Sequence, residues 1–168
     1  MQRDINWKQD LDRITGTSKF FREQSLWAIW VYRYGRRNDL RKPGPFRFIN
    51  NKTYWMMFRL VETVTGVSIP KECVIGAGLR IWHFGGIFIH PNSIIGANCT
   101  LRQGVTIGNR TNDGGAPVIG DDVEIGAYAQ ILGPVKIGSG AKIGAMSVVL
   151  TDLPSGCTAV GNPARIIE

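Results

Sequence analysis

The chain has 168 residues, 43% of them hydrophobic, and a formal net charge of +7. That length holds one domain with an attachment or two small pieces, and that hydrophobic share is ordinary for a globular protein. No apolar run is long enough to span a bilayer, and the three cysteines, Cys73, Cys99 and Cys157, are too far apart to suggest a disulfide or zinc framework. They read as small core residues of a reducing compartment. The polar, mixed-charge start does not look like a secretory leader, so a cytoplasmic protein is expected. The charge is uneven: residues 1–66 hold 13 Lys/Arg against 6 Asp/Glu, and residues 67–168 hold 7 against 7. A basic segment suits anionic lipid, acidic substrates or nucleic acid, but no nucleic-acid motif accompanies it, and no nucleic-acid partner is expected.

Residues 4–15 read as a short helix with sparse apolar points at Ile5, Leu11 and Ile14. Ser18 is a suitable N-cap for a second helix over about 19–35, with Gly35 as its C-terminal stop and Arg36 and Arg37 suited to the negative end of its dipole. Residues 40–51, with Pro43-Gly44-Pro45, read as a loop, and a third helix is expected over about 52–65. Four of the five tryptophans lie in this segment, beside many arginines. The helices are expected to pack on each other, on the chain just past residue 66 and on a neighbouring subunit. A peripheral membrane contact at the inner face of the membrane is the second use of such a surface.

From residue 69 the pattern changes. Ile69, Ile75, Ile81 and Ile87 are six apart, the beat resumes at Ile95, Leu101 and Ile107, and it runs on through Ile119, Ile125, Ile131, Ile137, Ile143 and Val149. Two positions before each sits mostly a small residue, such as Cys73, Cys99, Ala129 or Ser147, and Gly commonly comes next after the aliphatic one. A period of six is neither a strand's two nor a helix's 3.6, but it fits a solenoid of short strands with a turn in each repeat. The aliphatic residue points inward, the small one leaves it room, and Gly is expected to serve the backbone at the corner. The slip at Ile89-His90-Pro91-Asn92 marks an enlarged corner. The missing rung at residues 109–116 predicts a loop that leaves the prism, and residues 153–166 predict a cap on the open end.

This repeat resembles the left-handed parallel β-helix acyltransferases. The resemblance implies a mainly β fold, three hexapeptides per triangular coil, left-handedness and a homotrimer; whether two trimers join through the N-terminal helices is left open between trimer and hexamer. It divides the chain into an α-helical region, 1–66, and a β-helix domain with a C-terminal cap, 67–168. With three rungs per coil, Ile81, Leu101, Ile125 and Ile143 share a face, and His83, Gln103, Ala127 and Ala145 run down one corner. A reactive group then leads into a channel of methyl groups, a bed for a long thin chain such as pantetheine. The ordinary pKa of an imidazole, about 6.5, lets it take a hydroxyl proton at neutral pH.

The match sharpens over Ile81-Trp82-His83-Phe84-Gly85-Gly86, Leu101-Arg102-Gln103-Gly104-Val105-Thr106-Ile107-Gly108-Asn109-Arg110, Gly138-Ser139-Gly140-Ala141-Lys142-Ile143-Gly144-Ala145 and Gly161-Asn162-Pro163-Ala164-Arg165. Residues 67–168 are similar to serine O-acetyltransferases and, more closely, to the short acetyltransferases of exopolysaccharide loci, of the colanic acid type. That likeness implies direct transfer from acetyl-CoA, with no metal and no covalent enzyme intermediate. His83 is then the general base, and Gly108, Ala127, Lys142 and Ala145 fall where the family contacts coenzyme A, with Arg165 placed to reach its phosphates. Two histidines are too few for the three-histidine zinc site of carbonic anhydrases on this scaffold.

Departures from the serine enzymes point elsewhere. Ser68 and Trp82 stand where those enzymes carry Asp, and the loop Asp113-Gly114-Gly115-Ala116-Pro117 lacks their second histidine. The groups that would hold an amino acid's charges are therefore missing from the matched stretch. The expected acceptor is a sugar hydroxyl of surface polysaccharide synthesis, contacted by Trp82, Gln103, Asn109, Arg110 and Asp113. L-serine is the alternative. The group that orients the His83 ring is left open between a backbone carbonyl and an acid from a neighbouring subunit, with Glu72 and Asp113 as the candidate acids.

Overall fold

The computed structural model describes residues 7–15, 19–112 and 114–167; the cap expected at Ser18 and the acceptor contact expected at Asp113 lie outside them. Three parallel sheets form the faces of a β-solenoid of about five turns. The first holds β1 (Val67–Ser68), β4 (Ile87–Ile89), β7 (Thr106–Gly108), β10 (Gln130–Leu132) and β13 (Val148–Val149). The second holds β2 (Val74–Ile75), β5 (Ile94–Ile95), β8 (Val118–Ile119) and β11 (Lys136–Ile137). The third holds β3 (Arg80–Trp82), β6 (Thr100–Arg102), β9 (Glu124–Ile125), β12 (Lys142–Ile143) and β14 (Thr158–Gly161), and β15 (Ala164–Ile167) closes its edge antiparallel. Every third strand shares a sheet, so Ile81, Leu101, Ile125 and Ile143 stack in register as the spacing requires.

The rung aliphatics and the small residues before them are all buried, from Cys73 and Ile75 to Ser147 and Val149. The glycines after them do a different job from the one expected. A Cβ on Gly126 would lie 2.5 Å from the amide nitrogen of Ala145 in the next coil. Gly is required there because coils stack with backbone against backbone, and not because of a left-handed φ. The left-handed corners fall instead on residues such as Asn98, Asp122, Tyr128 and Met146.

The N-terminal helices differ in their limits from the expectation. They are α1 (Trp7–Asp12), α2 (Lys19–Arg22), α3 (Ser25–Asp39) and α4 (Pro45–Thr65). The expected loop at 40–51 is half helix, because Pro45 occupies the first turn, where a missing N–H costs nothing. Gly35 lies inside α3 and not at its end. A Cβ there would meet the Tyr54 ring at 2.6 Å, so Gly35 lets α3 and α4 cross closely. Gly66, with φ 64°, does end α4.

These helices complete the exposed backbone of the first coil with side chains. The Tyr32 hydroxyl accepts from Ile75 N at 2.9 Å and donates to Cys73 O at 3.1 Å. The Tyr54 hydroxyl accepts from Lys71 N at 2.9 Å. Asp10 accepts from Leu79 N at 2.9 Å and pairs with Arg33, whose guanidinium also donates to Ile75 O at 2.8 Å and Gly76 O at 2.6 Å. Both members of that ion pair are fully buried, and backbone partners add to the pairing, the condition under which such a pair is tolerated. Arg13 donates to Gly78 O and Cys99 O. Part of the basic excess of residues 1–66 is therefore internal capping.

Candidate active site

His83 comes directly after β3 at a corner, exposed, with φ 63°. The other turns of this corner are regular: Tyr128 N donates to Gln103 O, and Met146 N donates to Ala127 O. The first turn is not. Gly104 N reaches past His83 to Gly85 O at 2.9 Å. The His83 carbonyl is thus released from the ladder, and Gly85 and Gly86, both at positive φ, take up the distortion. Among the described residues no side chain bonds the imidazole.

A cavity of about 250 Å³ opens beside it, lined by Arg22, Glu23, Gln24, Trp82, His83 and Phe84 among others. Of the two acids expected near His83, Asp113 lies outside the described residues and Glu72 is not at this corner. Glu72 lies between β1 and β2, at another corner, and the carboxylate among the described lining residues is Glu23, from the turn between α2 and α3. Glu23 Oε1 lies 3.6 Å from Arg80 Nη2, and the Arg80 guanidinium stacks over the half-exposed Trp82 ring at 4.2 Å. Arg80 Nε and Nη1 are buried without a partner among the described residues.

On the outer face of the third sheet lies a groove of about 450 Å³. Ala127, Lys142 and Ala145, three of the expected coenzyme contacts, line it together with Arg102, Glu124 and Thr158. Arg102 pairs in register with Trp82. The groove thus begins one strand spacing, about 4.8 Å, from the residue before His83. Gln103 sits half-buried at the corner between the two openings, its Oε1 unpartnered among the described residues. Arg165 is exposed on β15, opposite Val160 at the far edge of the same sheet.

The remaining expected contacts do not join this group within one chain. Gly108 ends β7 on the first sheet, one corner round from the groove. A Cβ on Gly108 would meet nothing nearer than Thr106 Cγ2 at 4.0 Å, so the space beside its backbone is open. Asn109 and Arg110 start the loop beyond it, where Asn109 Nδ2 donates to Thr111 O at 2.8 Å. His90 is half-buried, and its Nδ1 accepts from Asn92 N at 3.2 Å, a turn contact. Sequence reasoning missed Arg22, Glu23 and Arg102. Arg102 could have been found from its register, two positions from Thr100 on the same strand face. Arg22 and Glu23 carry no periodic signal.

Two hexapeptide family models match the chain, the bacterial transferase hexapeptide repeat over residues 116–151 and the hexapeptide repeat of succinyl-transferase over 61–81 and 87–111. A serine acetyltransferase of Synechococcus elongatus is 40% identical over 114 residues, covering 67% of this chain. The chain spans 47% of that relative's length. The soybean serine acetyltransferase solved with serine superposes with a TM-score of 0.83 at 32% identity, over 96% of this chain and 68% of that one. A serine acetyltransferase solved in complex with CoA gives a TM-score of 0.79 at 28% identity, over 96% and 68%. These relatives lend no support to the expected polysaccharide role; they favour the alternative. The chain belongs to the hexapeptide-repeat acetyltransferases, and within them it is serine acetyltransferase-like.

Proposed function

We propose that the chain is an acetyl-CoA-dependent O-acetyltransferase with L-serine as acceptor and His83 as general base. In this reading the imidazole takes the hydroxyl proton as the hydroxyl oxygen attacks the thioester carbonyl. The C–S bond then breaks, the proton passes to the leaving thiolate, and O-acetylserine and CoA separate. Turn amides freed from the ladder at Gly85 and Gly86 are suitable donors to the developing oxyanion. Arg102 and Lys142 offer positive charge to the phosphates of CoA along the groove, and Arg165 extends that charge at its far end. Gly108 and the loop at Asn109 and Arg110 complete the site across a subunit boundary in a homotrimer.

The observation that carries the acceptor is the His83 cavity itself. The charges that the repeat lacks are supplied by the N-terminal segment: Arg22 for a carboxylate and Glu23 for an ammonium group, in the cavity that His83 lines. The test is CoA release with acetyl-CoA and L-serine, followed with a thiol reagent. Serine should support rapid release, and Glu23→Gln should raise the KM for serine at least about tenfold with a smaller loss in kcat, as expected for a charged hydrogen bond. No serine-dependent release would reject this acceptor.

One feature favours a second reading, a sugar hydroxyl. The half-exposed Trp82 ring, backed by Arg80, is a flat apolar wall beside His83 of the kind on which a sugar face stacks. Release of CoA with neutral hydroxyl acceptors, and none with serine, would favour it.

A further inference from the structure

The outer face of α4 has no partner among the described residues. Its inner face, with Tyr54 and Phe58, is buried against α3 and β1. On the opposite side Ile49, Met56, Leu60 and Val64 form one stripe at helical spacing, flanked by Phe48, and all five are between 59% and 69% exposed. Lys52 and Arg59 run along the edge of this stripe. The Lys52 ammonium lies 5.5 Å from the Phe48 ring centroid, and the Arg59 guanidinium lies 5.8 Å from that of Phe58. Both cationic groups thus sit within cation–π reach of an aromatic ring on this helix. Arg41 and Lys42 are exposed just before the helix. Glu62 is the one carboxylate in the sequence of α4, and it is already paired with Arg59 at 2.9 Å.

We propose that this face docks on an anionic lipid surface. The pattern matches the demands of a bilayer interface: apolar side chains to enter the acyl boundary, with aromatic and cationic ones at headgroup level. Charge decides between the two occupants such a stripe would accept. A two-fold contact between copies would set Lys52 against like charge, with no free carboxylate on the helix to meet it, because Glu62 is taken by Arg59. Anionic headgroups neutralise Lys52 together with Arg41 and Lys42. The capping arginines Arg13 and Arg33 are spent on coil carbonyls, so the charge offered to lipid is that of α4 and the segment before it. Lipid docking uses no step of the acetyl transfer.

The test is flotation of the full chain with vesicles of phosphatidylcholine alone and of phosphatidylcholine with an equal part of phosphatidylglycerol. Subunit number is tracked by light scattering. The protein should float with the anionic vesicles at low salt, stay with the soluble fraction on phosphatidylcholine alone, and be released by salt. Met56→Ser with Leu60→Ser, and separately Lys52→Gln with Arg59→Gln, should each weaken anionic binding by about tenfold at unchanged subunit number. All four side chains are exposed, so the fold should survive, and an unchanged thermal midpoint checks this. A parent protein that stays soluble beside anionic vesicles overturns the proposal, as do variants that float like the parent. Variants that dissociate the assembly overturn it in favour of a second copy.

Discussion

The β-solenoid and the helical segment solve the same problem in opposite ways. Each coil pairs its backbone with the coils above and below, so one short pattern, repeated, satisfies the N–H and C=O groups in the interior of the stack. The first coil has no coil below it. There the backbone groups are met one at a time by Asp10, Arg13, Tyr32, Arg33 and Tyr54, from scattered positions on the helical segment. Repetition makes one region tolerant and readable; the end of the repetition makes the other region specific and polar.

That contrast can be broken at its strongest point. Asp10→Ala leaves Arg33 buried without its carboxylate and Leu79 N without an acceptor, and should cost about 3–5 kcal/mol in chemical unfolding. A loss below about 1 kcal/mol would mean the helices merely rest on the coil. Leu101→Ala, in the middle of the stack, should cost about 2–5 kcal/mol through the cavity it leaves. Tyr32→Phe strands Ile75 N and should cost about 1–3 kcal/mol, read the same way.

The smallest effect is one of pH. Burial pushes the Cys73 thiol up to about 12 and the Cys99 thiol up to about 11, from an ordinary 9.0. Folded, both keep their protons where the unfolded chain would lose them. Their contribution is whole below about 9 and is lost as pH rises through 9 toward 11 and 12. The urea midpoint should therefore fall over that window, and Cys99→Ala should flatten the fall. A midpoint that rises there would contradict the sign.

Legibility divided along the same line. The period of six exposed the coils because each inward position has to be filled again six residues later, as at Ile75, Ile81 and Ile87. The corner row from His83 to Ala145 came from that count. The glycine role was misread, because a close approach between Gly126 and Ala145 in the next coil leaves the same mark in sequence as a turn. The caps were unreadable. Arg33 looks like one more cation in a basic helix until Gly76 O, 43 residues on, stands in front of it. Glu23 was invisible for the same reason: its relation to His83 is made by the docking of the helices and not by any local pattern. The absence of charged acceptor contacts was read from the repeat alone; in the proposed serine reading those charges come from Arg22 and Glu23, which line the His83 cavity from outside the repeat.

The central claim is that an imbalance at one corner, the His83 carbonyl released from the ladder, presents an imidazole to the acceptor beside a groove that carries the thioester. The direct measurement is single-turnover acetyl transfer by His83→Ala, with CoA affinity measured on the same protein. The account predicts that turnover falls by about a hundredfold or more, while CoA affinity and the thermal midpoint stay at their parent values. Turnover near the parent rate in that variant would contradict it.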